Sequence, residues 1–425
     1  MDASAIGTIS VVALTLALML TRPRGLNEAW FAAGGATALV LTGKLSPDST
    51  FIAMRETAEV LVFLAGMMLV TGVVERAGVI EIVAERIARI CGKNIRTLFI
   101  AMFILAALVT ATMSLDVTVI LVTPILYAIT RRRGLDPVPF LFACAFVANI
   151  GSLILPVSNL TNLLLVNRLD LSFSRFVSVM WLPNTVALFT TLVVFLWLFR
   201  NHLRSEQSEV ESNAGAIVPG VATRSWRNWV GTATLGVILG LLIAGFTENP
   251  IWIPAAVGAV VLLVSSAVSR RITVQDVIHD LSPSLFIFVI AMTMLVQAVN
   301  THVLRDFILP VPESVAGQIA SGALLAGLAS NVINNVPATV VAGEVLSTVS
   351  SGPQEVMAYA ALVGANIGPA LTTYGSLATM LWLSIIRKRG TSVSTASYMR
   401  VSLVTVPIVL FTTSVALWIS RSLWG

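Results

Sequence analysis

Long apolar runs separated by short polar stretches follow one another along the chain. In the first half these runs cover residues 4–20, 26–43, 57–74, 97–113, 116–130, 137–166 and 176–199. Runs of about 17–25 apolar residues are long enough to cross a bilayer core of about 30 Å as α-helices. The stretch at 75–95 is amphipathic instead, and the run at 137–166 is interrupted near Pro156. The pattern therefore predicts an all-α integral membrane protein.

The same order of runs returns after a polar segment that begins at Arg200 and ends at Arg227. The second set covers residues 228–247, 251–268, 283–300, 315–331, 336–350, 356–386 and 400–420. Because the polar segment divides the chain almost evenly, we predict two repeats joined by a linker. The first repeat is expected at 1–200, the cytoplasmic linker at 201–227 and the second repeat at 228–425.

Matching residues support the repeat. Ala148–Gly151 reads Ala-Asn-Ile-Gly, and the same four residues return at Ala365–Gly368. Thr112–Asp116 aligns with Ser330–Asn334 at nearly the same offset, in the corresponding place of the hydropathy pattern. Two matches at one spacing are difficult to attribute to chance, even in a chain this rich in alanine and glycine.

The order of long and short runs also predicts the topology. We expect each half to contain three spans, a hairpin that enters and leaves on one side, a broken span and a final span. An odd number of crossings in each half inverts the second copy relative to the first. The fold prediction is two inverted repeats with about ten transmembrane helices and two re-entrant hairpins. A twelve-span arrangement remains open, although pieces of about 16 residues are marginal for a full crossing.

Composition and charge agree with a membrane location. The chain is 56% hydrophobic and 11% charged, with a mean hydropathy of +0.91, whereas soluble domains need about a quarter charged residues. Roughly 20 of the lysines and arginines fall on one predicted face and roughly 6 on the other. This positive-inside bias accounts for the net charge of +5 without a nucleic-acid partner. It places the linker in the cytoplasm and both termini outside.

Four interruptions are predicted at membrane depth, at about 112–117, 154–159, 331–337 and 369–376. Non-helical backbone is tolerated there only where it faces protein or a water-filled cavity. We expect a capping residue to open each following half-helix, and the candidates are Asp116, Ser158, Asn335 and Ser376. Their free N–H groups would converge on one point that suits a solute rich in oxygen lone pairs. The alternative is a set of ordinary helix kinks satisfied by neighbouring residues.

Asp116 is the carboxylate expected at membrane depth. An ionised carboxylate costs a few kcal/mol there unless it is solvated or paired. No lysine or arginine lies in any of the four interruptions. We therefore predict that Asp116 takes up and releases a proton, and a permanently charged helix cap is the alternative.

Asparagines complete the predicted binding site. Asn149 and Asn366 precede the interruptions in the two broken spans, and Asn334 and Asn335 lie at the tip of the second hairpin. An amide offers donors and an acceptor, which matches a neutral polyhydroxylated solute or a hydrated cation. Asn149 and Asn366 are equally able to satisfy loose backbone carbonyls.

The sequence offers no chemistry for an enzyme. The three histidines fall in or near loops, and the two cysteines have no metal-binding spacing. No paired carboxylates or nucleophile–base arrangement is expected within the membrane. We predict a transporter without a cofactor or a metal.

These motifs resemble the ArsB-type arsenite and antimonite efflux permeases of the Ion Transporter superfamily. The resemblance runs nearly end to end and is strongest in Ala148–Asn162, Ser330–Thr339 and Gly364–Trp382. It implies export of arsenite or antimonite as neutral trihydroxides in exchange for protons, across the bacterial inner membrane. It also implies an elevator-type motion and, for some relatives, an arsenite-stimulated ATPase subunit.

The chain departs from the family pattern at one position. Leu115 precedes Asp116, where the family commonly has asparagine, so no amide ligand is expected there. A sodium/proton antiporter or a small-anion carrier of the same superfamily is the alternative function.

Overall fold

The computed structural model describes residues 3–21, 23, 26–204, 223–304 and 309–424. Most of the linker predicted at 201–227 therefore lies outside the described residues. The regular structure of the described part is entirely helical. The first half contains α1 (Ala3–Thr21), α2 (Glu28–Leu41), α3 (Pro47–Ala77), α4 (Val79–Ile90), α5 (Ile95–Thr112), α6 (Leu115–Val117), α7 (Thr123–Arg132), α8 (Val138–Ile150), α9 (Leu160–Arg168) and α10 (Phe173–Leu198). The second half contains α11 (Arg224–Phe246), α12 (Trp252–Val268), α13 (Val274–Leu281), α14 (Pro283–Val299), α15 (Val315–Ile333), α16 (Asn335–Ser347), α17 (Ser351–Ile367), α18 (Leu377–Lys388) and α19 (Thr395–Trp424).

Many of these helices have the length and composition of membrane spans. Within the described residues, 7 helices are long and apolar enough to cross a bilayer, and four shorter apolar helices accompany them. The prediction of an all-α membrane protein is confirmed. Two of the seven are Ile95–Thr112 and Val315–Ile333, which are the first arms of the predicted hairpins. These arms are longer than expected, so their length alone does not favour re-entry.

The amphipathic region predicted at 75–95 is two helices. Helix α3 continues to Ala77, and α4 begins at Val79 after Gly78, whose φ of 65° is left-handed. Glycine reaches this conformation without steric cost, so the chain changes direction there. The second half has its own short amphipathic helix, α13, which the sequence interpretation missed. It is held against α3 by Arg76, whose Nη1 lies 2.6 Å from Asp280 Oδ2.

The segment from α5 to α7 folds back on itself. Arg133 Nη1, just after α7, donates a hydrogen bond of 2.7 Å to the carbonyl of Gly92, just before α5. Arg132 pairs with Glu85 of α4 at 3.0 Å. The two ends of this segment, hairpin 1 (residues 95–132), therefore lie together, as the distribution of basic residues predicts.

The second half contains a comparable hairpin and a comparable set of contacts. Helices α15 and α16 form hairpin 2 (residues 315–347), and α15 packs along α17. The second arm of each hairpin contacts the broken span of the other half, because α7 packs against α18 and α16 packs against α9. The two broken spans are thus held between the two hairpins.

Buried apolar side chains form two clusters. The smaller one joins α1, α2 and α14, with Val336 of α16 at its edge. The larger one contains both broken spans, most of hairpin 1 and the outer helices α10, α11, α12 and α19. We call α1, α2 and α14 the α14 group.

Candidate functional site

Each broken span is interrupted close to its predicted position. Helix α8 ends at Ile150, and two short 3₁₀ turns, Gly151–Leu153 and Pro156–Ser158, lead to α9. Helix α17 ends at Ile367, and the 3₁₀ turn Gly368–Leu371 precedes α18. Asn149 and Asn366 therefore occupy the last turn of the first half-helix in each span, and both are completely buried.

Only one of the four predicted caps lies at its predicted residue. Ser376 caps α18, and its Oγ accepts a hydrogen bond of 3.1 Å from Thr379 N. Ser158 was predicted to cap α9, but the capping residue is Asn159, whose Oδ1 accepts from Thr161 N at 3.1 Å. Ser158 instead donates to the carbonyl of Ala111 at 2.8 Å.

The caps at the hairpin tips also differ from prediction. Ser114, not Asp116, caps α6, and Asn334, not Asn335, caps α16. Ser114 has a φ of 151° and Asn334 a φ of 75°. The tight reversal between the arms requires these conformations, and a short polar side chain there reaches back to the freed N–H groups.

Asn366 is the centre of a buried hydrogen-bond network between the halves. Its Oδ1 accepts from Ser152 Oγ at 2.7 Å and also from the Asn159 amide. Its Nδ2 donates to Asn162 Oδ1 at 3.0 Å and to the Leu362 carbonyl at 2.8 Å. Both N–H groups and both oxygen lone pairs of this amide are thus occupied by protein. Asn366 therefore supports the site, as the structural alternative for the asparagines predicts.

Asn149 is only partly satisfied. Its Nδ2 donates to Ala145 O at 3.1 Å and to Thr379 Oγ1 at 3.3 Å. Its Oδ1 is buried and has no donor among the described residues. A buried acceptor without a partner is costly, so this oxygen is a candidate for binding a solute hydroxyl.

The side chain of Asn335 is also only partly hydrogen-bonded. Its side chain is 3% exposed, and its Oδ1 also lacks a donor in the part of the chain that the structure describes. Its backbone N–H bonds to the carbonyl of Gly375 at 3.0 Å, next to Ser376, whose Oγ lies 3.0 Å from Thr379 Oγ1. Because Thr379 Oγ1 also accepts from Asn149 Nδ2, a chain of contacts at the second interruption connects Asn335 to Asn149.

Both hairpin tips reach the interruptions. The tip of hairpin 1 meets the first one through the bond from Ser158 to Ala111. The tip of hairpin 2 meets the second one, where Asn334 Nδ2 donates to Tyr374 O at 3.2 Å and Asn331 Nδ2 donates to Gly368 O at 2.8 Å. These contacts bring Asn334 and Asn335 to the interruption that contains Ser376, and Ala111 to the interruption that contains Ser158.

Asp116 lies in the first turn of α6, behind the tip of hairpin 1. Its side chain is half-buried, and the described residues provide no hydrogen bond or ion pair to its carboxylate. A π-helical turn, Thr118–Val122, follows it. Thr118 Oγ1 lies 2.8 Å from Thr110 Oγ1 of the opposite arm, which fixes the tip. Leu115 is buried and supplies no ligand.

Cavities adjoin these elements. One of about 350 Å³ lies between α15, the second interruption and α19, where Asn331, Gly368 and Leu371 line it. A small one of about 30 Å³ lies at the tip of hairpin 2, where Asn334 and Tyr374 face Glu28 and Phe288. A cleft of about 480 Å³ reaches Pro156 of the first interruption. Three carboxylates line this cleft, and they belong to Glu59, Asp170 and Glu248. Among the described residues, no group of His, Cys, Asp and Glu is placed to hold a metal ion.

The sequence interpretation missed four polar residues of this site. Ser152, Asn159, Asn162 and Thr379 all bond directly to Asn149 or Asn366. Three of them, Ser152, Asn159 and Asn162, lie within the segment Ala148–Asn162, in an otherwise apolar span. Polar residues in an otherwise apolar span were the feature of the sequence from which these site residues could have been predicted.

Comparison with known proteins places the chain among membrane transporters. The sequence profile of the CitMHS family, described as "Citrate transporter", matches residues 15–364. The chain belongs to the CitMHS family. This CitMHS protein is 28% identical to the "Arsenical pump membrane protein" of Escherichia coli K12, over 96% of this chain and 97% of that one. It is 25% identical to the "Putative arsenical pump membrane protein" of Bacillus subtilis 168, over 96% and 98%.

Two solved structures share the fold of this CitMHS protein. The Alcanivorax borkumensis YdaH transporter superposes with a TM-score of 0.61 at 14% identity, covering 99% of each chain. Neisseria gonorrhoeae MtrF gives a TM-score of 0.60 at 14% identity, covering 98% of this chain and 94% of its own. The relatives are transporters, so the predictions of a transporter rather than an enzyme and of a resemblance to arsenical pumps are confirmed.

Proposed function

We propose that this protein exports arsenite and antimonite, as neutral trihydroxides, in exchange for protons that enter the cell. The observation that carries the proposal is the pair of buried amide oxygens without donors, Asn149 Oδ1 and Asn335 Oδ1. A trihydroxide supplies three O–H donors, and these would satisfy such acceptors. The relatives named as arsenical pumps point to the same class of solute.

The charge of the site argues against citrate, which the family's description names. Citrate carries several negative charges near neutral pH and requires cationic or N–H donors. The four interruptions contain no lysine or arginine, and the unpartnered buried oxygens would repel a carboxylate. A neutral solute meets no such penalty.

The helix N-termini supply the complementary groups. Helices α9 and α18 begin at the interruptions, and α16 begins at the tip of hairpin 2. Asn159 and Ser376 cap one N–H group each, at Thr161 and Thr379, and the other first-turn N–H groups of α9 and α18 have no partner within their own helix. These N–H groups and the positive ends of the helix dipoles favour oxygen lone pairs. A trihydroxide would thus donate to the amides and accept from the helix termini.

Asp116 is the proposed proton carrier. It has no cationic partner among the described residues and lies between buried neighbours, Leu115 and Val117. Removing a lone carboxylate from water favours its neutral form, and exposure to water on one side of the membrane favours its release of the proton. Uptake and release on opposite sides would couple proton entry to solute export.

The mechanism that we propose is an elevator built on two inverted repeats. The exchanged contacts of α7 with α18 and of α16 with α9 support the repeat. The separate apolar cluster of the α14 group supports a scaffold against which the hairpins and broken spans move. The distribution of arginines and lysines supports a cytoplasmic linker and external termini. The proposed protein has about ten spans in the inner membrane. The cytoplasmic face is where an ATPase subunit would bind.

A growth assay tests the proposed solute. Expression in a bacterial strain that lacks its own arsenite exporter should restore growth in arsenite and in antimonite. It should leave uptake of citrate unchanged. Citrate transport without resistance to either metalloid would refute the proposal.

A further inference from the structure

Glu344 is a buried carboxylate at the contact between hairpin 2 and two other parts of the fold. It lies on α16 and is 5% exposed. Arg168, at the end of α9, binds it in a bidentate pair, with Nε 2.7 Å from Oε1 and Nη2 2.8 Å from Oε2. Asn300, which follows α14, donates from Nδ2 to Oε2 at 2.7 Å. Both carboxylate oxygens are therefore occupied.

The two partners of Glu344 belong to different parts of the proposed elevator. Helix α9 is half of a broken span and packs against α16, so Arg168 would move together with Glu344. Helix α14 packs on α2 within the α14 group, so Asn300 would stay with the scaffold. The bond from Asn300 to Glu344 therefore crosses the boundary along which the two parts would slide.

The chemistry of the three groups suits a contact that opens and closes. When Asn300 leaves, the bidentate pair with Arg168 still neutralises Glu344, so no buried charge is left alone. Asn300 is neutral and loses only one hydrogen bond. Because the acceptor of that bond is charged, the bond is stronger than one between neutral groups. A direct ion pair across the boundary would be far costlier to break.

We propose that the bond between Asn300 and Glu344 is a latch that holds the transporter in the position seen here and opens on each transport cycle. The inference rests on the elevator of the proposed function. Arg168 keeps Glu344 ionised and oriented as the acceptor of the latch. Asn300 is thus a positioning residue that sets how the two positions are populated, without contact to the solute.

Distance measurements between the scaffold and the moving part test the latch. Cys91 and Cys144 would first be replaced by serine, and spin labels would be attached to L41C on α2 and S351C on α17, both at exposed positions. The parent protein should give two distances, one of which corresponds to this structure. Asn300→Ala should reduce the population at that distance by about tenfold relative to the other, which is the loss expected for one hydrogen bond to a charged group.

Two further variants complete the test. Asn300→Asp preserves the size of the side chain but places a carboxylate against Glu344, so it should shift the populations at least as far as Asn300→Ala. Thr301→Ala is the matched control, because Thr301 bonds to the carbonyl of Gln297 in its own helix, and it should leave both populations unchanged. Binding of arsenite at equilibrium in detergent should change only as far as the shift in populations requires.

Different results would overturn the latch and the elevator. Two distances with populations unaffected by Asn300→Ala and Asn300→Asp would overturn the latch and leave the elevator intact. A single distance in every variant, with and without arsenite, would overturn both. Arsenite resistance in the growth assay tests the solute independently of either result.

Discussion

Ser152 Oγ donates a hydrogen bond of 2.7 Å to Asn366 Oδ1, and this bond joins the broken span of the first half to that of the second. Ser152 and Asn366 are both completely buried. The contact holds the two interruptions in one register, so that the unpartnered oxygens nearby keep a fixed geometry. Loss of Asn366 would leave Asn162 Oδ1 without its donor in the centre of the protein.

Asn366→Ala should therefore lower stability more than it lowers affinity. The substitution removes the partner that Ser152, Asn159 and Asn162 share. Ser152 Oγ and Asn159 Nδ2 keep one other hydrogen bond each, but Asn162 Oδ1 loses its donor, and an unsatisfied buried group costs about 1–3 kcal/mol. We expect the free energy of unfolding in detergent to fall by at least about 2 kcal/mol. The matched control is Asn184→Ala on α10, because Asn184 is buried outside this network and its Oδ1 has no partner among the described residues. Equal losses in the two variants would contradict the role of the network.

Asn335→Ala should lower affinity for arsenite more than it lowers stability. Its Oδ1 has no donor within the described part of the chain, so its removal takes away no hydrogen bond at that atom. We expect the KM for arsenite to rise by about tenfold, as for the loss of one well-placed hydrogen bond. The unfolding transition should move little. An unchanged KM would exclude this oxygen from the solute site.

Asp116→Asn should separate solute movement from proton movement. The amide has nearly the shape of a protonated carboxyl group but releases no proton. Exchange of arsenite for arsenite across vesicles should persist, whereas accumulation driven by a pH gradient should disappear. Asp116→Glu is the control and should retain gradient-driven accumulation. Proton-driven transport in Asp116→Asn would place the coupling group elsewhere.

Gly364→Ala should disrupt the contact between hairpin 2 and its neighbouring broken span. A methyl group on Gly364 would collide with the carbonyl of Ala323 and approach Gly327 N at 2.8 Å. Backbone cannot move aside as a side chain can, so we expect a loss of about 1–3 kcal/mol in stability. Gly236→Ala is the control, because no atom lies within 4 Å of the added carbon, and alanine there should be neutral or stabilising. Similar thermal unfolding of both variants would contradict this packing.

The sequence predicts much of this architecture because membrane spans are long, apolar and separated by charge. The repeated residues predict the interruptions after Asn149 and Asn366. The basic residues predict that the two ends of hairpin 1 lie on the same side. The sequence does not predict the exact caps. Ser114 and Asn334 cap their helices with positive φ values, and these depend on how the chain reverses between the two arms. Hydropathy also missed α13, whose eight residues are too few to stand out beside a long span.

The division of roles among the asparagines was beyond the sequence. Asn149 and Asn366 occupy matching positions in the repeats, yet every hydrogen-bonding position of the Asn366 amide has a protein partner, whereas Asn149 Oδ1 has none among the described residues. Asn159 and Ser376 are equivalent, because each caps the half-helix that follows, and Asn162 and Thr379 lie three residues after them. The first half therefore places amides where the second half has hydroxyl groups, and Asn149 Oδ1 is left without a donor among the described residues. A symmetric fold thus surrounds an asymmetric set of hydrogen bonds.

Transport into inside-out membrane vesicles tests the central claim most directly. The vesicle interior then corresponds to the outside of the cell, and it would be made acidic in a medium free of sodium. The account predicts that arsenite and antimonite accumulate in the vesicles as protons leave, and that collapsing the pH gradient stops the accumulation. Accumulation only with a sodium gradient, or movement of citrate in place of the metalloids, would contradict it.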